Sequence, residues 1–201
     1  MIDGNRQHAP ATLRNREPIA RVLRTLLPQT GLVLEVASGT GEHIVYLAGR
    51  FPGLTWQPSD ISPDSLRSIE SWAGQAELPN VLPPLALDAA GEDWAIDRAD
   101  AVMCINMVHI SAWSATVGLM AGAGRILAAG APLYLYGPFR RAGYPLEPSN
   151  VAFDQQLRNS DSRWGLRDLE EVVACAADHE LLEDAVIEMP ANNLSAIFRK
   201  K

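Results

Sequence analysis

At 201 residues, 47% of them apolar and 20% charged, the chain has the size and composition of one folded domain and not of a disordered tract. A net charge of −7 weighs against a nucleic-acid partner, and no apolar run is long enough to cross a bilayer. The polar start MIDGNRQHAP does not read as a secretory signal, and the two cysteines, Cys104 and Cys175, sit in apolar surroundings, so a reducing cytosolic setting is expected.

Near the N-terminus, Pro18 is placed to open the helix IARVLRTLL, with Arg14 to Glu17 as an ordered approach. LVLEVA (Leu32 to Ala37) is an apolar run that ends in SGTG and leads into a helical pattern. LTWQPS from Leu54, NVLPPLAL from Asn80, ADAVMCIN from Ala99 and APLYLY from Ala131 share that character. Continuous apolar strands alternating with helices predict parallel strands buried on both faces. Ser62 followed by Pro63 reads as an N-cap with proline in the first turn. From Gly137 to Arg167 no long periodic segment is seen, which predicts a functional loop or lid. Asp168 with Glu171 resembles a capping box ahead of LEEVVACAA. LLEDAVIEM and LSAIFRK, joined by the short PANN, predict an antiparallel pair. No repeat or second-domain boundary interrupts residues 1–201, which read as one domain.

Chemistry concentrates at the ends of the apolar runs. Glu35-x-Ala37-x-Gly39-x-Gly41 leaves the first strand and enters a helix. Glycines there permit a sharp turn and the close approach of a ligand. A nicotinamide-dinucleotide loop would carry a third glycine where this chain has Ile44, and a purely structural turn is the plain alternative. Asp60 ends the second strand, where a carboxylate accepts from both hydroxyls of a ribose. Asp88 ends the third, and Asn106 and His109 follow the fourth. Taken singly, each aspartate reads as a cap or turn residue. Together, at the carboxyl ends of consecutive strands, they mark the crevice in which open α/β sheets bind ligands.

An acid ending the strand ahead of the glycines resembles the first motif of class I S-adenosylmethionine (SAM)-dependent methyltransferases. RNREPIA (Arg14 to Ala20), EVASGTGEH (Glu35 to His43), WQPSD (Trp56 to Asp60), CINMVHI (Cys104 to Ile110) and LYGPFRR (Leu135 to Arg141) narrow the resemblance. So do SNVAFDQQLR (Ser149 to Arg158), WGLRDLE (Trp164 to Glu170) and EMPANN (Glu188 to Asn193). The chain, from about Leu13 onward, resembles a small family of methyltransferase-like proteins classed as a domain of unknown function. The resemblance implies a Rossmann-like three-layer α/β sandwich with a mostly parallel seven-stranded sheet and an antiparallel last strand. It implies SAM as cofactor and no metal. The cofactor set it implies is Asn15, Glu35, Ala37, Ser38, Gly39, Thr40, Gly41, Asp60, Ile61, Asp88, Ala89 and Asn106. Ala37 departs from the wider pattern, in which glycine is commoner; that matters if the position needs a positive φ.

The family-specific motifs lie mostly outside the cofactor loops and are expected to build the pocket of a small-molecule acceptor. His109, Tyr136, Phe139, Arg140, Asn150, Trp164 and Arg167 are its candidates, with Trp164 and Phe153 equally able to anchor the loop. If a base is needed, His109 is the first choice and Tyr136 the second, while a structural cap is the other role open to His109. Arg14 and Arg16, Arg140 and Arg141, and Arg163 and Arg167 form basic clusters in an acidic chain. Converging on the crevice mouth, the last four would favour an anionic acceptor. Pairing with Asp154, Asp161, Asp168 and Glu170, they would only hold the loop. The rival to an enzyme is a SAM-binding module without catalysis, whose lid meets a partner.

Overall fold

The computed structural model describes residues 6–201; the first five residues, which begin the polar N-terminal stretch, lie outside them. In chain order the elements are α1 (Pro10–Leu26), β1 (Gly31–Val36), α2 (Glu42–Arg50), β2 (Leu54–Asp60), α3 (Pro63–Ala76) and β3 (Leu85–Ala86). Next come β4 (Ala101–Ile105), α4 (Trp113–Ile126), β5 (Pro132–Gly137), β6 (Phe139–Arg140) and α5 (Pro148–Ser160). The chain ends with β7 (Arg167–Asp168), α6 (Leu169–Ala177), β8 (Leu181–Met189), a 3₁₀ turn (Pro190–Asn192) and β9 (Asn193–Lys200). Seven strands form one sheet in the order β3-β2-β1-β4-β5-β9-β8. The pairs from β3 to β5 are parallel, and β9 runs antiparallel to both β5 and β8. β6 and β7 make a separate two-residue parallel pair.

Alternate residues of the same strands feed two cores. Leu34, Val102, Cys104, Leu133 and Phe198 pack with Leu119 and Ala123 of α4 and Val172 of α6. Val33, Ala101, Met103, Tyr134 and Ile197 pack with Ile19 and Leu23 of α1 and Leu47 of α2. A strand buried on both faces has no polar side, which is why the sequence shows unbroken apolar runs. No helix among the described residues is long and apolar enough to cross a membrane.

Four local expectations are corrected. Helix α1 starts at Pro10, eight positions before Pro18, and Arg14 to Glu17 are helical. Thr12, Asn15, Ile19, Leu23 and Leu26 form one buried stripe, and its packing outweighs the backbone hydrogen bond that Pro18 removes. The third strand is reduced to Leu85 and Ala86, paired with Ser59 and Asp60, because Pro83 and Pro84 have no N–H for a ladder. The segment from Gly137 to Arg167 contains a 13-residue helix, α5. Its only buried residues are Asn150 and Leu157, too few to show a helical period. Asp168 is the N-cap residue of α6 but caps nothing with its side chain, which Arg140 takes. Ser62 does cap α3, accepting from Ser65 N at 3.4 Å.

Candidate active site

The loop between β1 and α2 is tied to β2 by short hydrogen bonds. Ser38 N donates to Ser59 O at 2.8 Å, and Ser59 Oγ donates to Glu35 O at 2.8 Å. Asp60 accepts from Gly39 N with one oxygen and from Ser62 N with the other, both at 2.9 Å. Its carboxylate therefore shapes the loop as well as facing the crevice. Ala37 lies at φ 58°, in the left-handed region. Alanine there costs roughly 1–2 kcal/mol, which the bonds on either side sustain.

The glycines of the loop differ in role. A Cβ on Gly39 (φ +56) would meet nothing within 4 Å and would point into open space at the crevice. A Cβ on Gly41 (φ +88) would lie 2.8 Å from the Ile69 Cα, so Gly41 lets α2 pack on α3.

Above the loop lies a cavity of about 900 Å³, at the upper end of the range for small-molecule pockets. Glu35, Ala37, Ser38, Gly39, Thr40, Asp60, Ile61, Asp88, Ala89 and Asn106 all line it. Of the expected cofactor set, Gly41 and Asn15 do not contribute to this wall among the described residues. His43, Thr12 and Trp164 do: Trp164 was expected on the acceptor side, while His43 and Thr12 had no expected role, although a histidine two residues past Gly41 was the available signal. The N-terminal strap closes one side: Ala9 N donates to Glu42 Oε2 at 2.6 Å and Gln7 N to Ser68 Oγ at 2.9 Å.

The cavity is acidic. Glu35, Asp60 and Asp88 face it, while Arg163, the one arginine of its wall among the described residues, is paired with Asp161 at 2.7 Å. Glu35 is 1% exposed, and its Oε2 has no hydrogen-bond partner among the described residues. Burial pushes its carboxyl up to about 8, with Ser38 opposing and Asp60 adding to the rise. His43 is driven down to about 4 by burial, so it is neutral at pH 7.

A second cavity, of about 440 Å³, shares Ala11, Asn106 and Ile110 with the first. Asn15, His109, Tyr136, Asn150 and Phe153 complete most of its wall. His109 is 4% exposed and stacks edge-on against Phe153, with ring centroids 5.7 Å apart. Burial, then the Arg167 charge, lowers its imidazole to about 4. Its Nδ1 would be 3.1 Å from a Cβ on Gly137, so the glycine leaves room for the ring. Burial raises the Tyr136 phenol, with Asn15 and Arg14 opposing the rise. Phe139 lines a third cavity, of about 300 Å³, with Arg141, Tyr144 and Glu188.

The arginines are engaged within the protein. Arg140 grips Asp168 through Nε at 2.9 Å and Nη2 at 3.2 Å, Arg141 meets Glu188 at 3.0 Å, and Arg158 meets Asp154 at 2.9 Å. Arg167 donates to Ser111 O at 2.8 Å and Arg163 O at 2.7 Å, stitching the segment after β4 to the lid. Neither Arg140 nor Arg167 belongs to the wall of these cavities among the described residues. The loop-holding account therefore describes these contacts, with Glu188 and backbone carbonyls as additional partners. Arg167→Gln is expected to cost about 1.5–3 kcal/mol of stability in urea denaturation, the range for hydrogen bonds to a charged group. Amide exchange should speed up in residues 108–111 and 161–167; unchanged protection there would remove Arg167 from this role.

A cavity at the carboxyl ends of β1 to β4, floored by a glycine loop, in a sheet of this order defines the Rossmann-like fold of class I SAM-dependent methyltransferases. The chain belongs to the family described as protein of unknown function (DUF938), which matches residues 6–200. One structure of similar fold is a methyltransferase of calicheamicin biosynthesis in its SAH-bound form, at 16% identity and a TM-score of 0.78 over 95% of this chain and 54% of that one. An O-methyltransferase family protein from Burkholderia thailandensis has 16% identity and a TM-score of 0.80, with 95% and 57% covered. An O-methyltransferase family 2 protein from Planctomyces limnophilus, in complex with apigenin, has 18% identity and a TM-score of 0.77, with 95% and 60% covered. The present chain thus spans little more than half the length of these proteins, and the likeness is one of fold.

Proposed function

We propose that this protein is a SAM-dependent methyltransferase acting on a small-molecule acceptor. The observation that carries the proposal is the pair of adjoining cavities: an acidic cradle over an open glycine, and a second chamber reached past Asn106. SAM has a sulfonium and an ammonium against one carboxylate, so a cradle of three acids suits it better than it suits a dinucleotide pyrophosphate. The unpartnered Glu35 oxygen is a further mark of fit, since a buried acceptor is normally satisfied. When bound, the cofactor supplies an electrophilic methyl group.

The protein's own work is then to align the acceptor and exclude water. His109 is in its base form at neutral pH and would take the proton of an acceptor hydroxyl, while Tyr136, whose phenol burial keeps protonated, can donate a hydrogen bond but not act as the base. The cytosol suits two free thiols, with Cys104 buried and pushed up to about 12. Calorimetry with S-adenosylhomocysteine (SAH) and with NAD tests the reading. SAH should bind and NAD should not; the reverse order would end it. Transfer of labelled methyl from SAM to any acceptor then separates the enzyme from the binding module.

A further inference from the structure

The wall between the two cavities carries a polar pair that the cofactor does not account for. His43 lines the cradle and Asn15 lines the chamber, and His43 Nε2 lies 2.8 Å from Asn15 Oδ1. They are 8% and 6% exposed. A neutral imidazole has one N–H, and an amide oxygen can only accept, so the shared proton sits on Nε2. The amide nitrogen of Asn15 is the end turned away from His43, and Tyr136 lines the same chamber. Two donors, an amide N–H and a phenol O–H, thus stand together in the chamber wall.

The rest of the wall is uncharged. No Asp, Glu, Lys or Arg lines the chamber among the described residues. Arg14 and Arg167 act on Tyr136 and His109 from behind the wall; Arg14 is exposed and Arg167 is bound to carbonyls. An ionised group entering this space would lose its hydration without meeting a counter-charge, whereas a neutral oxygen would find donors in place. We propose that the chamber takes an uncharged acceptor oxygen, a hydroxyl or an amide carbonyl, and that Asn15, oriented by His43, selects it. This rests on the reading of the second cavity as the acceptor chamber. It moves Asn15 from the cofactor to the acceptor side and replaces an anionic acceptor with a neutral one.

The test uses the full chain, with and without saturating SAH, and three probes of one shape: benzamide (neutral), benzoate (anionic) and benzylamine (cationic). Ligand-detected NMR titration gives each affinity. The neutral probe should bind at least about tenfold more tightly than either ion, and Asn15→Leu should remove at least about tenfold of that affinity. SAH affinity should fall by clearly less than the probe affinity, because Asn15 reaches the cradle only through His43. His43→Gln, which still offers an N–H, should keep the neutral probe, and His43→Leu should lose it. Should Asn15→Leu fail to fold, the nearly isosteric Asn15→Asp takes its place. It should weaken the neutral probe and move the His43 titration, read by NMR, upward from about 4. Equal binding of a charged probe, binding of none, or wild-type selectivity in an Asn15 variant would overturn the proposal. A protein that ignores SAH yet holds the neutral probe through Asn15 would overturn the methyltransferase reading and support this one.

Discussion

Gly39→Val is expected to abolish SAH binding while leaving the protein folded. The position has φ +56, so a branched residue costs roughly 1–2 kcal/mol of backbone strain, well inside the ~5–15 kcal/mol stability of an ordinary domain. A Cβ there meets no protein atom within 4 Å and Gly39 lines the cradle, so the added side chain takes up space the ligand would fill. It therefore displaces the ligand instead of removing one contact, and a loss of about a hundredfold or more is expected. Gly41→Ala should behave in the opposite way. Its Cβ would lie 2.8 Å from the backbone of Ile69, which cannot swing aside, so stability should fall by about 2–4 kcal/mol. Urea denaturation and SAH calorimetry on both variants separate the two effects. Normal binding by Gly39→Val would refute the placement of the ligand over this loop.

What could be read before folding depends on how local the information is. β1, β4 and β5 announce themselves because both faces are buried and nearly every residue is apolar, whereas β2 is buried with Gln57, Ser59 and Asp60 along it and is marked by its place between two helices. The glycine loop and Asp60 are equally legible, since a strand, its end and the next helix start are contiguous in the chain. β3 is obscured by Pro83 and Pro84, and α5 by an interface of one leucine and one asparagine. The arginine partners are hidden for another reason. Arg140 and Asp168, or Arg167 and Ser111, meet only because the lid folds back, and nothing in their spacing encodes that. Asn15 is the sharpest case. Pro18 hid even its place on a helix, and the cavity it faces is decided by how α1 lies across β1 and β4, which is a property of the assembled core.

Glu35→Gln is expected to change both the level and the shape of the stability–pH curve. Three buried groups decide that shape between pH 4.5 and 8. Glu35 is raised from 4.5 to about 8, and His43 and His109 are lowered from 6.5 to about 4. Between pH 6.5 and 8 the folded protein holds the Glu35 proton that the unfolded chain has released, so stability falls as pH rises, by up to about 1.4 kcal/mol per unit. Between pH 6.5 and 4.5 the unfolded chain gains two histidine protons against the one that Glu35 keeps in the fold. Stability therefore falls toward acid as well, and the maximum lies near pH 6.5. Glutamine cannot ionise, so the alkaline limb should disappear and the variant should gain on the order of 2 kcal/mol on the wild type between pH 6.5 and 8. The acid limb should steepen toward two protons, about 2.7 kcal/mol per unit. Urea midpoints across this range would show it; parallel curves for the two proteins would mean that Glu35 is ionised in the fold. The same proton links stability to binding. A cationic ligand in the cradle favours the Glu35 carboxylate, so wild-type affinity for SAM should climb with pH up to about 8, with proton uptake by the buffer. In Glu35→Gln that climb should be gone, because the group that released the proton is gone.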